Sequence, residues 1–194
     1  MILEKSRRGM HPPDSSFRLQ EGTEPHMNID TIIMIAAWVM PIIMLLLFIP
    51  KERIREALLI FHGKQVITWV LGLSVVQLKL IEYPVRLFPY ANKSNFTFEF
   101  FSYPAICSIF SINYPVGKSN LRKFMHYFYF CTVMTAFELL CEKYTDIIKY
   151  IHWTWYVTWI TLFLTFFISR KYYLWFFKYN NFTEEDSLID KLMK

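Results

Sequence analysis

Long apolar blocks separated by short polar joints run through the chain from Ile29 onward, without the alternation of strands or the narrow stripe of surface helices. Such blocks predict membrane-spanning helices, because a hydrocarbon core about 30 Å thick takes roughly 20 apolar residues in helical form. Five segments meet or approach that length: 29–49, 57–80, 97–116, 124–141 and 150–169. In the first, Pro41 is placed to kink the helix, and Pro50 with Lys51 ends it. The second carries His62 and Lys64 near its start, where both are expected to snorkel to the interface, and Gln77 and Lys79 near its end. The third contains Pro104 and stops around Pro115 and Gly117, so a re-entrant segment is an alternative to a full crossing. The expected fold class is all-α, an integral membrane helical bundle with about five transmembrane helices within 29–178.

Polar sequence flanks this region on both sides. Residues 1–28 hold Pro12, Pro13, Asp14, Ser15 and Ser16 and read as a disordered tail, with Met27 an alternative translation start directly before the first block. In 179–194, Thr183 is an N-cap candidate, acids follow it, and Leu188, Ile189, Leu192 and Met193 share one face. That pattern predicts a short amphipathic helix at the cytoplasmic surface.

Composition agrees with a membrane chain: 54% of its 194 residues are hydrophobic and 19% aromatic, too oily for a soluble domain. The net charge of +5 does not point to nucleic acid, since Lys and Arg cluster beside the apolar blocks. Ten lie near the ends that would face one side and six near the other, so the positive-inside rule places the N-terminus outside and the C-terminus in the cytoplasm of a plasma membrane. Cys107, Cys131 and Cys141 fall inside apolar segments with no CxxC spacing and read as small buried hydrophobes. Trp153, Trp155, Tyr172, Tyr173 and Trp175 lie toward the two ends of the last span and are expected to be interfacial anchors.

The chemistry worth weighing lies in one leaflet. With five crossings, the end of span two, the start of span three, the end of span four and the start of span five share a side, which gathers Glu82, Arg86, Glu99, Glu138, Glu142, Asp146 and His152 into one polar layer. Glu138 sits about one turn inside its apolar run, where an unpaired carboxylate is costly, so it needs a partner, water or a proton. Arg86 is the best cation for it, able to hold a carboxylate through two hydrogen bonds. Two readings follow. In one, Arg86 ties the spans together through Glu82, Glu99 or Glu138; in the other, the carboxylates and His152 form a proton or cation site or recognise a partner. No HExxH, CxxC or ExxH spacing supports a metal centre, and no GxSxG, P-loop or GxGxxG motif supports catalysis, so no metal, cofactor or catalytic residue is expected.

The stretches IEYPVRLFP, FTFEFFSYP, AFELLCEKYTDIIKYIHWTWYVTW and SRKYYLWFF, in that order, resemble an uncharacterised family of small multi-pass membrane proteins from Bacillus, Clostridium and related endospore-forming Firmicutes. The resemblance implies several spans and a Gram-positive plasma membrane, and it implies no activity. The first expectation is therefore a non-enzymatic multi-pass plasma-membrane protein acting with membrane-protein partners, or as a homo-oligomer, in envelope or spore physiology. The alternative is a small oligomeric transporter or channel-like protein that handles protons or cations through its outer-leaflet carboxylates.

Overall fold

In the computed structural model, the backbone is described for residues 29–192 and the side chains for residues 29–177. The expected tail at 1–28 lies outside the described residues. The fold is all-α, with helices α1 (Ile29–Phe48), α2 (Ile54–Gln77), α3 (Tyr103–Ile112), α4 (Asn120–Tyr144) and α5 (Trp155–Leu192). A π-helical turn, Thr97–Ser102, leads into α3. Three helical stretches are long and apolar enough to cross a membrane: Ile29–Phe48, Lys51–Gln77 and Asn120–Tyr144. The sixteen residues of Thr97–Ile112 rise roughly 24 Å as helix, short of a full hydrocarbon core.

That short element is the centre of the molecule. Ala105, Cys107, Ser108, Phe110 and Ile112 of α3 are all buried, whereas α1 buries only Ala37 and Pro41 and exposes most of its large apolar side chains. α2 packs on α3 and α5, α4 on α5, and α1 on α3 and the π-turn. The core is built from Ile60, Cys107, Phe110, Cys131, Leu162 and Phe166, with the Phe110 and Phe166 rings stacked at 4.8 Å. All three cysteines are buried and free. Lipid tails are as apolar as leucine, so tight contact and internal hydrogen bonds, more than burial from water, hold such helices together.

Prolines decide where those hydrogen bonds go. Pro41 has no N–H for the Ala37 carbonyl four residues back, and the Ser102 hydroxyl of the π-turn donates to that carbonyl at 2.7 Å. Pro104 likewise leaves the Phe100 carbonyl without its helical donor, and Gln65 Nε2 of α2 supplies one at 2.9 Å. In the π-turn the Tyr103 N–H reaches back to Phe98 O, which frees the Glu99 carbonyl for Thr68 Oγ1 at 2.6 Å. The π-turn is thus bonded to α1 on one side and α2 on the other through carbonyls that a regular helix would have used internally.

The ends of the helices gather at two poles. At one, Ile81–Glu82 pairs antiparallel with Lys149–Tyr150, and Asp30 accepts from the Asp146 N–H. α2 ends there in a Schellman motif, with Leu80 N–H on Val75 O and Lys79 N–H on Val76 O; Lys79 takes the left-handed conformation usually given to glycine, φ 55°. At the other pole Asn113 Nδ2 donates to Phe48 O, and Arg53 donates to Ile112 O at 2.8 Å.

Two expectations change here. α5 runs as one helix through Leu192, so the separate helix starting at Thr183 is not formed; no glycine or proline after Phe177 interrupts it. Lys64 does not snorkel: it is 0% exposed, on the face of α2 turned toward α5.

Candidate functional site

Helices α2 and α5 meet along a polar seam. On α2, Glu56, Ile60, Lys64, Thr68 and Gly72 recur every four residues, so they share one face over roughly 24 Å. On α5, Thr158, Thr161, Thr165, Ser169 and Tyr173 recur every three or four. The seam is closed at one end by the ion pair of Arg53 and Glu56 at 2.6 Å, with Tyr173 Oη donating to the same Glu56 oxygen at 2.6 Å. Arg170, buried beside it, donates to Ser111 O at 3.1 Å and lies over the Tyr114 and Tyr173 rings, 4.6 and 4.9 Å from their centroids.

At the opposite end the seam widens into a cavity of about 80 Å³ between α2, the π-turn, α4 and α5. Two carboxylates line it, and their surroundings differ. Glu138 of α4 is 8% exposed and accepts three hydroxyl hydrogen bonds: Tyr103 to Oε2 at 2.8 Å, and Tyr150 and Thr158 to Oε1 at 2.6 and 2.9 Å. Thr158 is itself held by Trp153 Nε1 at 2.8 Å, so its hydroxyl proton is free for Glu138. All three partners are hydroxyls placed to donate to it, contacts that favour the ionised form against the cost of burial.

Glu99 of the π-turn is 3% exposed, and neither of its carboxylate oxygens makes a hydrogen bond of full geometry among the described residues, with the Ser94 and Tyr83 hydroxyls the side-chain donors that stand beside it. It lies directly over Gly72, where a Cβ would stand 2.0 Å from its carboxyl atoms. The space left by the missing side chain on α2 is the space this carboxyl fills. Tyr83, from the segment after α2, also lines the cavity; burial above all, with the charges of Glu99 and Glu138, pushes its phenol well up from its usual value and keeps it a neutral donor.

Below the two acids lies Lys64. Its ammonium donates to Thr165 Oγ1, a cavity-lining hydroxyl that passes its own proton to Leu162 O at 3.0 Å. The Phe166 ring lies 4.7 Å from Nζ, a cation–π contact. Among the described residues the one salt bridge is Arg53 with Glu56, so Lys64 has no carboxylate in direct contact.

The polar layer expected from sequence is therefore split. Glu99 and Glu138 come together in the cavity. Arg86 does not tie them: its guanidinium donates to the carbonyls of Tyr83, Pro89 and Asn92 at 2.6, 3.1 and 2.8 Å, folding its own loop because Pro84 and Pro89 leave that loop without helical hydrogen bonds. Glu82 and His152 are exposed and Glu142 is half-buried, and no side-chain hydrogen bond joins any of them among the described residues. Of the expected interfacial anchors, Trp155 and Trp175 are exposed. Trp153 instead supports Thr158, Tyr173 bonds Glu56, and Tyr172 packs over Gly63.

Sequence reading missed Lys64, Gly72, Tyr103, Tyr150, Thr158 and Thr165. The four-residue spacing of Lys64, Thr68 and Gly72 was a usable signal, since a lysine sharing a face with threonine and glycine inside an apolar block faces protein more readily than lipid. A larger crevice of about 720 Å³ between α1, α3 and α4 is lined almost wholly by apolar side chains such as Met40, Met44, Ile106, Val133 and Phe137. No family model matches the chain, and no curated protein or solved structure matches it.

Proposed function

We propose that this is a five-span plasma-membrane protein that moves or exchanges a proton or small cation through the cavity between Glu99 and Glu138. The observation that carries the reading is Glu99: a carboxyl group buried in the bundle, with no hydrogen bond of full geometry on either oxygen among the described residues, facing a cavity that a second carboxylate shares. Such a group is costly in an apolar interior, so its presence there points to a function that uses it. The cavity has room for a few waters or one small ion with part of its hydration shell, and an organic substrate is too large for it.

The five-span arrangement is supported by a helix in each apolar segment and by the two poles at which the helix ends gather. An outside N-terminus and a cytoplasmic C-terminus are supported by the Lys and Arg distribution, which still favours that side, nine to six, with Lys64 set aside as internal. On this reading the acidic cavity opens toward the outer leaflet, and the Arg53, Glu56, Arg170 and Tyr173 cluster closes the cytoplasmic end. With so few spans, the working unit is a homo-oligomer. The sequence resemblance to the membrane proteins of endospore-formers supplies the envelope or spore setting.

The test is flux in proteoliposomes holding the full-length protein under an imposed proton, sodium or potassium gradient. Wild type is expected to dissipate one of these gradients, Glu99→Gln and Glu138→Gln to reduce the rate at least about tenfold at equal incorporation, and Glu82→Gln to leave it unchanged. A wild-type rate no faster than that of empty vesicles, or an undiminished rate in Glu99→Gln, overturns the proposal.

A further inference from the structure

We propose that the crevice between α1, α3 and α4 holds one acyl chain of an anionic membrane phospholipid, with the headgroup at the pole of Arg53 and Ile112. α1 packs on α3 and the π-turn and α4 packs on α5, which leaves about 720 Å³ open between α1 and α4 over Ile106 and Ile109 of α3. That volume lies within the usual range of sites for organic ligands. The crevice opens sideways to the bilayer, since Met40, Val133 and Phe137 on its walls are 59, 51 and 43% exposed. It shares only Tyr103 with the carboxylate cavity, so a lipid site here stands apart from flux through that cavity.

Three features choose the occupant. The first is that the lining asks for almost no hydrogen bond. Ser102 is bonded to Ala37 O, Tyr103 to Glu138, Asn113 to Phe48 O and His126 to Phe110 O, and the one other polar side chain on the lining, Tyr129, is 63% exposed. Hydrocarbon fits such a lining, whereas a polar solute would lose its water without replacement. The second feature is depth. The crevice runs from Ala36 to Phe48 on α1 and from His126 to Phe137 on α4, roughly 18 Å and roughly 17 Å of helix. One leaflet supplies about half of a hydrocarbon core about 30 Å thick, so the crevice takes a single chain from a single leaflet.

The third feature is charge. On α4 the crevice face repeats as His126, Phe130, Val133 and Phe137, and the same spacing carried one turn toward the helix start reaches Arg122 and Lys123. On α1 the face of Pro41, Met44 and Phe48 continues to Lys51, just beyond the helix end. None of these three cations is in an ion pair among the described residues; Glu52 is exposed beside Lys51, and Glu56 is paired with Arg53. The mouth at this pole is therefore net positive, while the opposite end of the α1 face carries Asp30, seven residues before Ala37. Cations beside apolar blocks follow from topology alone; the crevice adds a slot for the chain beneath them. A negative headgroup is favoured at this mouth, each nearby Lys or Arg contributing about fivefold in affinity.

Native mass spectrometry of the full-length protein in detergent, mixed with equal amounts of dioleoyl phosphatidylglycerol and dioleoyl phosphatidylcholine, tests this. Wild type is expected to keep one phosphatidylglycerol per chain, at least about tenfold in preference to phosphatidylcholine, the scale of two cations acting together. Val133→Trp fills the crevice without changing a charge, and Arg122→Gln/Lys123→Gln removes charge from the mouth without filling the slot; each should lower that retention at least about tenfold. Lys93→Gln/Lys143→Gln, at the other pole, leaves it unchanged. The proposal is overturned if wild type keeps neither lipid or keeps both equally. It is equally overturned if a Val133→Trp protein that elutes and unfolds like wild type keeps phosphatidylglycerol undiminished, which puts the lipid on the outer helix surface. A lipid-free oligomer that Val133→Trp dissociates also overturns it, and seats a second copy in the crevice instead. Should Val133→Trp fail to fold, Ala36→Phe takes its place with the same expectations.

Discussion

Gly72 and the Glu99 carboxyl share one volume, so the effect of filling it depends on what position 99 carries. Gly72→Ala is expected to destabilise the protein by about 1–3 kcal/mol, the range for forcing an extra carbon into a packed interior. In a Glu99→Ala background the same substitution should be close to neutral, because the carboxyl it displaces is gone; thermal or denaturant unfolding of the four-member cycle measures the difference. Arg86 and Glu138 give the opposite pattern. The guanidinium serves its own loop's carbonyls and the carboxylate serves three hydroxyls, with no partner in common. Arg86→Ala and Glu138→Ala should therefore add to within about 0.5 kcal/mol in the double variant, where a direct ion pair would give a large coupling.

Among the elements, the π-turn is the one on which the site depends. Its register puts the Glu99 side chain over α2, and carbonyls released by prolines and by the π spacing fasten it to both neighbours. The Ser102 hydrogen bond to Ala37 O has a measurable dependence on Pro41. Ser102→Ala should cost about 1 kcal/mol in wild type, the usual worth of such a bond. In Pro41→Ala the helix's own N–H returns to Ala37 O, and the same Ser102→Ala change should then cost clearly less, as read from unfolding of the four proteins in one detergent.

For the whole molecule, the arrangement of helix ends makes a topological statement that labelling can check. Tyr90 lies fully exposed at the pole that carries the carboxylate cavity, and Ser119 lies exposed at the pole of Arg53 and Ile112. In intact cells a membrane-impermeant thiol reagent is expected to label Tyr90→Cys and to spare Ser119→Cys until the membrane is opened, with the buried native cysteines replaced by serine or alanine as background. Labelling of Ser119→Cys from outside reverses the orientation. Labelling of both sites from one side removes an odd number of crossings between them, and with it the reading of the short Thr97–Ile112 element as a span.

The apolar blocks and their proline and charge boundaries were legible in the chain itself. Each expected segment contains a helix, because hydrophobic run length and the loss of a backbone donor at proline are properties of local sequence. Glu138 stood out for the same reason, as an acid inside an apolar run. Its partners did not: Tyr103, Tyr150 and Thr158 come from three other elements, and their hydroxyls look like any interfacial or helical residue until the helices are packed. Lys64 illustrates the limit most plainly. Its distance from a block's end is readable from the sequence, but whether it faces lipid, water or protein depends on the azimuth of α2 against α5, which packing alone fixes. Local sequence determined that the chain forms apolar helices and where they break; tertiary structure decided which of their few charges share an interior, because in a weakly screening medium that sharing, not residue type, sets what a buried charge can do.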